Sequence, residues 1–122
     1  MTLHLNVRKE HFEKIRNGEV MSHGLAVTPY WTGRLIEVLD MKTGRFVSPD
    51  KQTRAFFASM PYLLEHKLSV GSARLRPKFV SFHRAVHNGV GTICYEVAGL
   101  SVEAGSMPEN WHFCVKIGRR LR

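Results

Sequence analysis

The strongest indication of the fold is the segment WHFCVKI, residues 111–117, in which apolar and polar side chains alternate with period two. Such alternation is typical of a strand with one buried face. Upstream, residues 78–86 and 92–98 are rich in β-branched and aromatic side chains. The pair Asn88-Gly89 lies between them and is typical of a tight hairpin turn. The last third of the chain therefore predicts several antiparallel strands.

The first third predicts a strand and two helices. Residues 3–7 alternate as a short strand, and residues 8–17 follow with apolar side chains at helical spacing. Gly18 is the expected helix stop, because a residue just beyond a helix often adopts a positive φ. The pair Thr28-Pro29 is a strong helix start, with threonine as N-cap and proline at the first helical position. The apolar spacing extends that second helix to Leu39.

The middle of the chain predicts further helices, one starting at Ser48-Pro49-Asp50 and one interrupted or restarted at Pro61. Together these elements predict an α+β fold: a single domain over residues 1–122, with a small antiparallel β-barrel and flanking helices. The length of 122 residues fits one domain.

Composition excludes several classes of protein. No run of about 18 apolar residues is present, so a membrane span and a membrane partner are not expected. The first eleven residues carry three charges and no apolar run, which excludes a signal peptide. Two cysteines do not make a disulfide scaffold, so we expect a reduced, cytoplasmic protein. Lys and Arg total 18 against 10 Asp and Glu, and this net charge of +8 favours a polyanionic partner such as nucleic acid.

The order of these segments resembles the ASCH domain family of the PUA-like superfamily, and its small phage and bacterial members in particular. The resemblance rests on a helix ending in Asn17-Gly18-Glu19, on Val27-Thr28-Pro29-Tyr30-Trp31 with Arg34-Leu35, and on the closing strands 92–100 and 113–118. It covers about residues 2–39 and 77–119, so residues 40–76 are predicted to be a helical insertion. It implies a PUA-like barrel with a cleft beside the first helix, and binding of RNA or of a modified nucleotide.

One loop departs from the family pattern. Where the family has Gly-Glu-Lys-Thr followed by an acidic residue and an arginine, this chain has GEVMSHG at residues 18–24. In the amidohydrolase relatives that lysine is the catalytic base or nucleophile. Its position here is Val20, which has no titratable group, so amidohydrolase activity is not expected.

The sequence and the resemblance together give a set of candidate site residues. The predicted cleft is lined by His23, Tyr30, Arg34, Arg84 and Asn88, with phosphate contacts from Lys14, Arg76, Lys78 and Arg119. For Tyr30 the stacking of a base and packing on the barrel are both open, and Trp31 is expected in the core. Neither a cofactor nor a metal site is predicted, because the spacing of Cys94, Cys114 and the histidines matches no zinc motif.

Two alternatives to simple RNA binding remain open. The chain could be a ribonuclease that uses His23, Lys14 or Tyr30 as proton-transfer groups, and Glu19 is the carboxylate nearest to His23 in sequence. It could instead be a phage-type inhibitor or adaptor that binds a protein of a nucleic-acid machine. The docking surface would then be residues 40–75, with Phe56, Phe57, Tyr62 and Leu63.

Overall fold

The computed structural model describes residues 1–86, 89–105 and 110–121, and side chains at 1–84, 91–105 and 110–121. Within these ranges the chain has eight strands and four helices. Their order is β1 (Thr2–Asn6), α1 (Lys9–Arg16), β2 (Ser22–Ala26), α2 (Pro29–Leu35), β3 (Ile36–Asp40), β4 (Arg45–Val47), α3 (Lys51–Ser59), α4 (Pro61–Ser69), β5 (Ala73–Leu75), β6 (Phe79–Val86), β7 (Gly89–Glu103) and β8 (His112–Arg120).

The strands form two sheets, with orders β1-β6-β7-β8-β2 and β4-β3-β5. The prediction of antiparallel strands holds for β6 and β7, where Phe82 lies opposite Ile93. It is wrong for β1, which pairs with β6 in parallel, Leu5 lying opposite Phe82. Parallel pairing needs a long crossover rather than a hairpin, and more than seventy residues separate these two strands.

The α+β class is confirmed, and the five-stranded sheet is compatible with a small barrel-like fold. The chain divides into two compact units. Unit 1 comprises residues 1–23, 77–99 and 115–122, and unit 2 comprises residues 24–76 and 100–114. The predicted insertion at about 40–76 lies within unit 2.

In unit 1, helix α1 covers one face of the sheet. Phe12 and Ile15 of the helix are buried, as are Val80 and Phe82 of β6. The hydroxyl of Tyr95 on β7 donates a hydrogen bond to the carbonyl of Ile15 at 3.3 Å, which ties the helix to the sheet. Along β8, which runs through both units, the buried residues Phe113, Val115 and Ile117 confirm the predicted alternation. Trp111 precedes the strand and is half-buried.

In unit 2, the second helix is shorter than predicted. It ends at Leu35, and the following residues form β3 instead of continuing to Leu39. Ile36 and Val38 are β-branched and favour extended backbone. Their strand pairs with β5 on one side and β4 on the other, and these ladder hydrogen bonds outweigh the helical spacing.

Local signals at the helix ends are confirmed. Gly18 has a φ of 76°, as a helix stop requires. The side chain of Thr28 accepts the backbone N–H of Trp31 at 3.2 Å, and Asp50 caps α3 in the same way through Thr53. Helix α4 begins at Pro61. In the described ranges no helix has both the length and the apolar character needed to cross a membrane.

Candidate functional site

The loop after α1 brings His23 back to the helix. Gly18 ends the helix, and the carbonyl of Lys14 then accepts the backbone N–H groups of Glu19 at 2.9 Å and Val20 at 3.3 Å. The carbonyl of Met21 accepts the N–H of Ile117, which ties the chain to β8 as β2 begins. These hydrogen bonds make residues 18–21 a well-bonded turn that leads into His23.

His23 forms a pair with His11, not with Glu19. Nε2 of His11 and Nδ1 of His23 are 2.9 Å apart, so one ring donates an N–H to the other. The edge of the His23 ring meets Phe82, with ring centroids 5.6 Å apart. Burial, and then the charge of a protonated His11, lower the pKa of His23 from its ordinary value of 6.5. His23 is therefore held neutral near physiological pH, as a proton acceptor must be.

Arg84 lies against the same helix. Its guanidinium carbon is 5.2 Å from the centroid of the Phe12 ring, and Nη1 is 3.7 Å from Oε1 of Glu13. Glu13 is also paired with Arg16, so one carboxylate serves two arginines. Among the described residues, the buried Nε of Arg84 has no hydrogen-bond partner. The guanidinium of Arg84 is thus half-buried, with one carboxylate 3.7 Å away and one nitrogen that lacks a hydrogen bond within those residues.

A second histidine pair lies on the opposite face of the unit 1 sheet. Nδ1 of His4 and Nε2 of His83 are 3.0 Å apart, and the rings stack with centroids at 5.2 Å. Nδ1 of His83 is 3.1 Å from the hydroxyl of Thr92, which orients the His83 ring. His4 is exposed, so this pair meets solvent.

The other predicted phosphate ligands of unit 1 lie on its surface. Lys14 and Lys78 are exposed. Arg119 is also exposed, but its Nη2 is 3.0 Å from Oε1 of Glu96, so its charge is already paired. Lys14 follows His11 by three residues on α1, which places it on the next turn of the same side of the helix.

In unit 2, Tyr30 and Arg34 form an exposed stack. The guanidinium carbon of Arg34 is 4.7 Å from the centroid of the Tyr30 ring, and Tyr30 is 56% exposed. Trp31 meets Tyr30 edge to face and is half-buried, so the core of this helix is Leu35 rather than Trp31. Nη1 of Arg76 donates to the carbonyl of Gly33 at 3.4 Å, near the end of the same helix.

The predicted cleft is thus distributed over both units. His23 and Arg84 belong to unit 1, and both contact side chains of α1. Tyr30 and Arg34 belong to unit 2 and contact each other. Asn88 and the predicted hairpin turn lie outside the described residues. The cleft as a whole stays a prediction.

The predicted docking surface in residues 40–75 is only partly exposed. Phe57 is buried and Leu63 is half-buried, whereas Phe56 and Tyr62 are exposed. A pocket of about 320 Å³ in unit 2 is lined by Phe56, Phe57, Met41 and five further residues. These observations give an apolar pocket in unit 2, and docking of a protein there stays a prediction.

Four of the described histidines form two pairs, His11 with His23 and His4 with His83. Over the described ranges, no three His, Cys, Asp or Glu side chains come together as metal ligands. Cys94 and Cys114 are both free thiols, and Sγ of Cys94 donates to the hydroxyl of Ser81 at 3.4 Å.

Two contributors to these sites were not predicted. His11 was expected only as a member of the apolar stripe of α1, yet it is the partner of His23. A histidine among apolar residues on a buried stripe is the signal that could have indicated it. Gly33, a glycine inside a predicted helix, could likewise have indicated that another group approaches α2 closely.

Comparison with protein-family models, with curated proteins and with solved structures finds no match to this chain.

Proposed function

We propose that this chain is an RNA-binding domain of the ASCH type, in the PUA-like superfamily, without amidohydrolase activity. The order of elements supports the family proposal: β1, α1, the Gly18 turn, then a helix starting at Thr28-Pro29. The replacement of the family's lysine by Val20 supports the loss of hydrolysis, because valine neither accepts a proton nor attacks a carbonyl.

The stack of Tyr30 and Arg34 carries the proposal of RNA binding. It presents an aromatic ring and a planar guanidinium together, and the tyrosine is more than half exposed. Unpaired bases stack on such surfaces, while the cation is available to a phosphate.

The distribution of charge supports a polyanionic partner. Unit 1 contains ten basic and four acidic residues, so it holds +6 of the net charge of +8. Exposed Lys14 and Lys78 are part of this excess. Association with a phosphate backbone releases counterions, which makes affinity depend steeply on salt.

The experiment is a comparison of two tyrosines that are equally exposed. Tyr30 and Tyr62 are each 56% exposed, but only Tyr30 stacks with an arginine. We expect Tyr30→Ala to weaken binding of a labelled single-stranded RNA at least fivefold, from the loss of one stacked base at about 1–3 kcal/mol. Tyr62→Ala should bind as the wild type does. Equal affinities for the two variants would contradict the proposed face.

A ribonuclease activity is the second candidate, and the pair of His11 and His23 favours it. When Nδ1–H of His23 donates to Nε2 of His11, 2.9 Å away, the His23 ring, kept neutral by burial, has its Nε2 free as a proton acceptor. Lys14 supplies a cation on the next turn of α1. Tyr30, the third group in the prediction, belongs to unit 2 and is stacked with Arg34.

The reaction that suits this pair is transesterification of RNA. Neutral His23 takes the proton of a ribose 2′-hydroxyl, and that oxygen attacks the adjacent phosphorus. The bond from phosphorus to the 5′-oxygen breaks, and that oxygen receives a proton from the ammonium group of Lys14. The products are a 2′,3′-cyclic phosphate and a free 5′-hydroxyl. Before it gives up that proton, Lys14 would neutralise charge on the phosphate oxygens.

Turnover of labelled RNA tests this candidate. We expect His23→Ala and Lys14→Ala to lose cleavage by about a hundredfold or more while RNA affinity falls far less. His66→Ala, an exposed histidine on α4, is the matched control and should cleave as the wild type does. DNA of the same sequence lacks the 2′-hydroxyl and should stay intact. Cleavage that persists in His23→Ala would rule out this assignment.

A further inference from the structure

Three guanidinium groups of unit 2 converge on the seven-residue helix α2. Arg34 belongs to the helix and stacks on Tyr30. Arg76 donates to the carbonyl of Gly33. The third is Arg54 of helix α3, a residue without a role in the predicted site, and its side chain lies directly over Gly33.

Gly33 makes room for Arg54. A Cβ atom at position 33 would lie 2.7 Å from Cδ and 3.0 Å from Nη1 of Arg54, closer than side chains normally approach. Glycine is unfavourable inside a helix, and any other residue would displace the arginine. The helix therefore gives up intrinsic stability at the point where Arg54 contacts it.

No acidic side chain of the described residues forms a close ion pair with this cluster, although, after hydrogen bonding from Thr53, the charge of Arg54 contributes to the lowered pKa of the Asp50 carboxyl. Within the described part of the chain, no carboxylate oxygen lies within 4.0 Å of a nitrogen of Arg34, Arg54 or Arg76. The carboxylate of Asp50 is occupied as the N-cap of α3, accepting the N–H of Thr53 at 2.8 Å. Three like charges gathered at one seven-residue helix repel one another, and a bound anion would relieve that repulsion.

We propose that Arg34, Arg54 and Arg76 form a phosphate-binding cluster on α2 that holds the backbone of single-stranded RNA, with Gly33 positioning Arg54. The proposal rests on the RNA-binding function above and adds the residues that hold the phosphate. Guanidinium groups bind phosphate through paired N–H donors, which lysine cannot reproduce. Tyr30, one turn before Gly33, lies where the base next to that phosphate can stack.

The experiment measures affinity for a fluorescein-labelled oligouridine RNA of about ten nucleotides at several salt concentrations. Arg54→Ala should bind about tenfold more weakly, as expected for one charged hydrogen-bonding group, and its salt slope should be shallower by about 0.7. Arg45→Ala, an exposed arginine of β4, is the control and should stay within about twofold of the wild type.

Gly33→Ala tests the positioning role. The contact involves the far end of a flexible side chain, so the variant should fold and push Arg54 aside. It should bind RNA as weakly as Arg54→Ala, and the double variant should be no weaker than either single one. In the Arg54→Ala background, Gly33→Ala should raise the melting temperature by a few degrees, because alanine favours the helix.

The outcomes separate this inference from the proposed function. If the wild type binds RNA and Arg54→Ala binds as tightly as Arg45→Ala, the cluster is wrong and the function stands. If Gly33→Ala keeps full affinity, the positioning role is wrong. If the wild type binds no RNA, both the phosphate-binding cluster and the proposed function are wrong. If Arg54→Ala does not fold, Arg54→Lys replaces it in the test, because lysine keeps the positive charge. Arg54→Lys should bind RNA more weakly than the wild type, since lysine lacks the paired N–H donors.

Discussion

Replacing Phe82 by alanine tests the packing that supports the histidine pair. The Phe82 ring is 0% exposed and contacts the rings of His23 and Tyr95, with centroids at 5.6 Å and 6.1 Å. Removing a buried phenyl group typically costs about 3–5 kcal/mol, and the two ring contacts place this site in the middle of that range. We therefore expect a loss of about 4 kcal/mol, a large share of the stability of an ordinary domain.

Urea unfolding followed by circular dichroism measures this loss. A decrease of about 4 kcal/mol lowers the midpoint by about 2 M at a slope near 2 kcal/mol/M. Phe79→Ala is the matched control, because Phe79 is on the same strand, faces the other side of the sheet and is 38% exposed. It should cost about 1 kcal/mol. Similar losses for the two variants would refute the assignment of Phe82 to the core beneath His23.

Three further variants test local features. The lowered pKa of His23 means that the unfolded chain takes up a proton first, so the wild type should lose stability as pH falls below about 6.5, and His23→Gln should flatten that dependence in urea titrations. Thr28→Ala should lower the free energy of unfolding by about 1 kcal/mol, since the cap of α2 is lost. Glu13→Gln leaves Arg16 and Arg84 without their shared carboxylate, so it should bind RNA more tightly at low salt and unfold at slightly lower urea.

Local sequence chemistry predicted most of the helix ends and strands. The positive φ of Gly18, the Thr28 cap and the start of α4 at Pro61 each depend on one or two neighbouring residues. The alternation in β8 could also be predicted from the residues of the strand itself, because one face of a half-buried strand must be apolar. Each of these features is determined by residues at or next to its own position in the sequence.

The pairing of strands that are distant in the sequence could not be predicted from local sequence. The stretch from Ile36 has apolar residues at spacings that suit a helix, and only its pairing with β4 and β5 makes it a strand. The parallel pairing of β1 with β6 likewise depends on residues more than seventy positions apart. Sequence periodicity alone contains no information about which strand will be the neighbour.

The candidate site was predicted in parts. Residue type, and position in the segments that resemble the ASCH family, indicated His23, Tyr30 and Arg34. In the structure each of these side chains has a specific partner. His11, the partner of His23, and Arg54, which lies over Gly33, were missed, because each comes from an element that only the fold brings near. A net charge of +8 favours a polyanionic partner, but it does not say which cations already have an acid beside them, as Arg119 does.

The most direct test of the central claim is the affinity of the wild-type protein for single-stranded RNA, duplex RNA and DNA of the same sequence at about 50 mM and 200 mM salt. RNA binding predicts micromolar or tighter binding to single-stranded RNA that persists at the higher salt, with a preference over DNA and over the duplex. Equal, weak binding to all three that disappears at the higher salt would contradict the claim, because the charge of +8 would then act only as a nonspecific attraction.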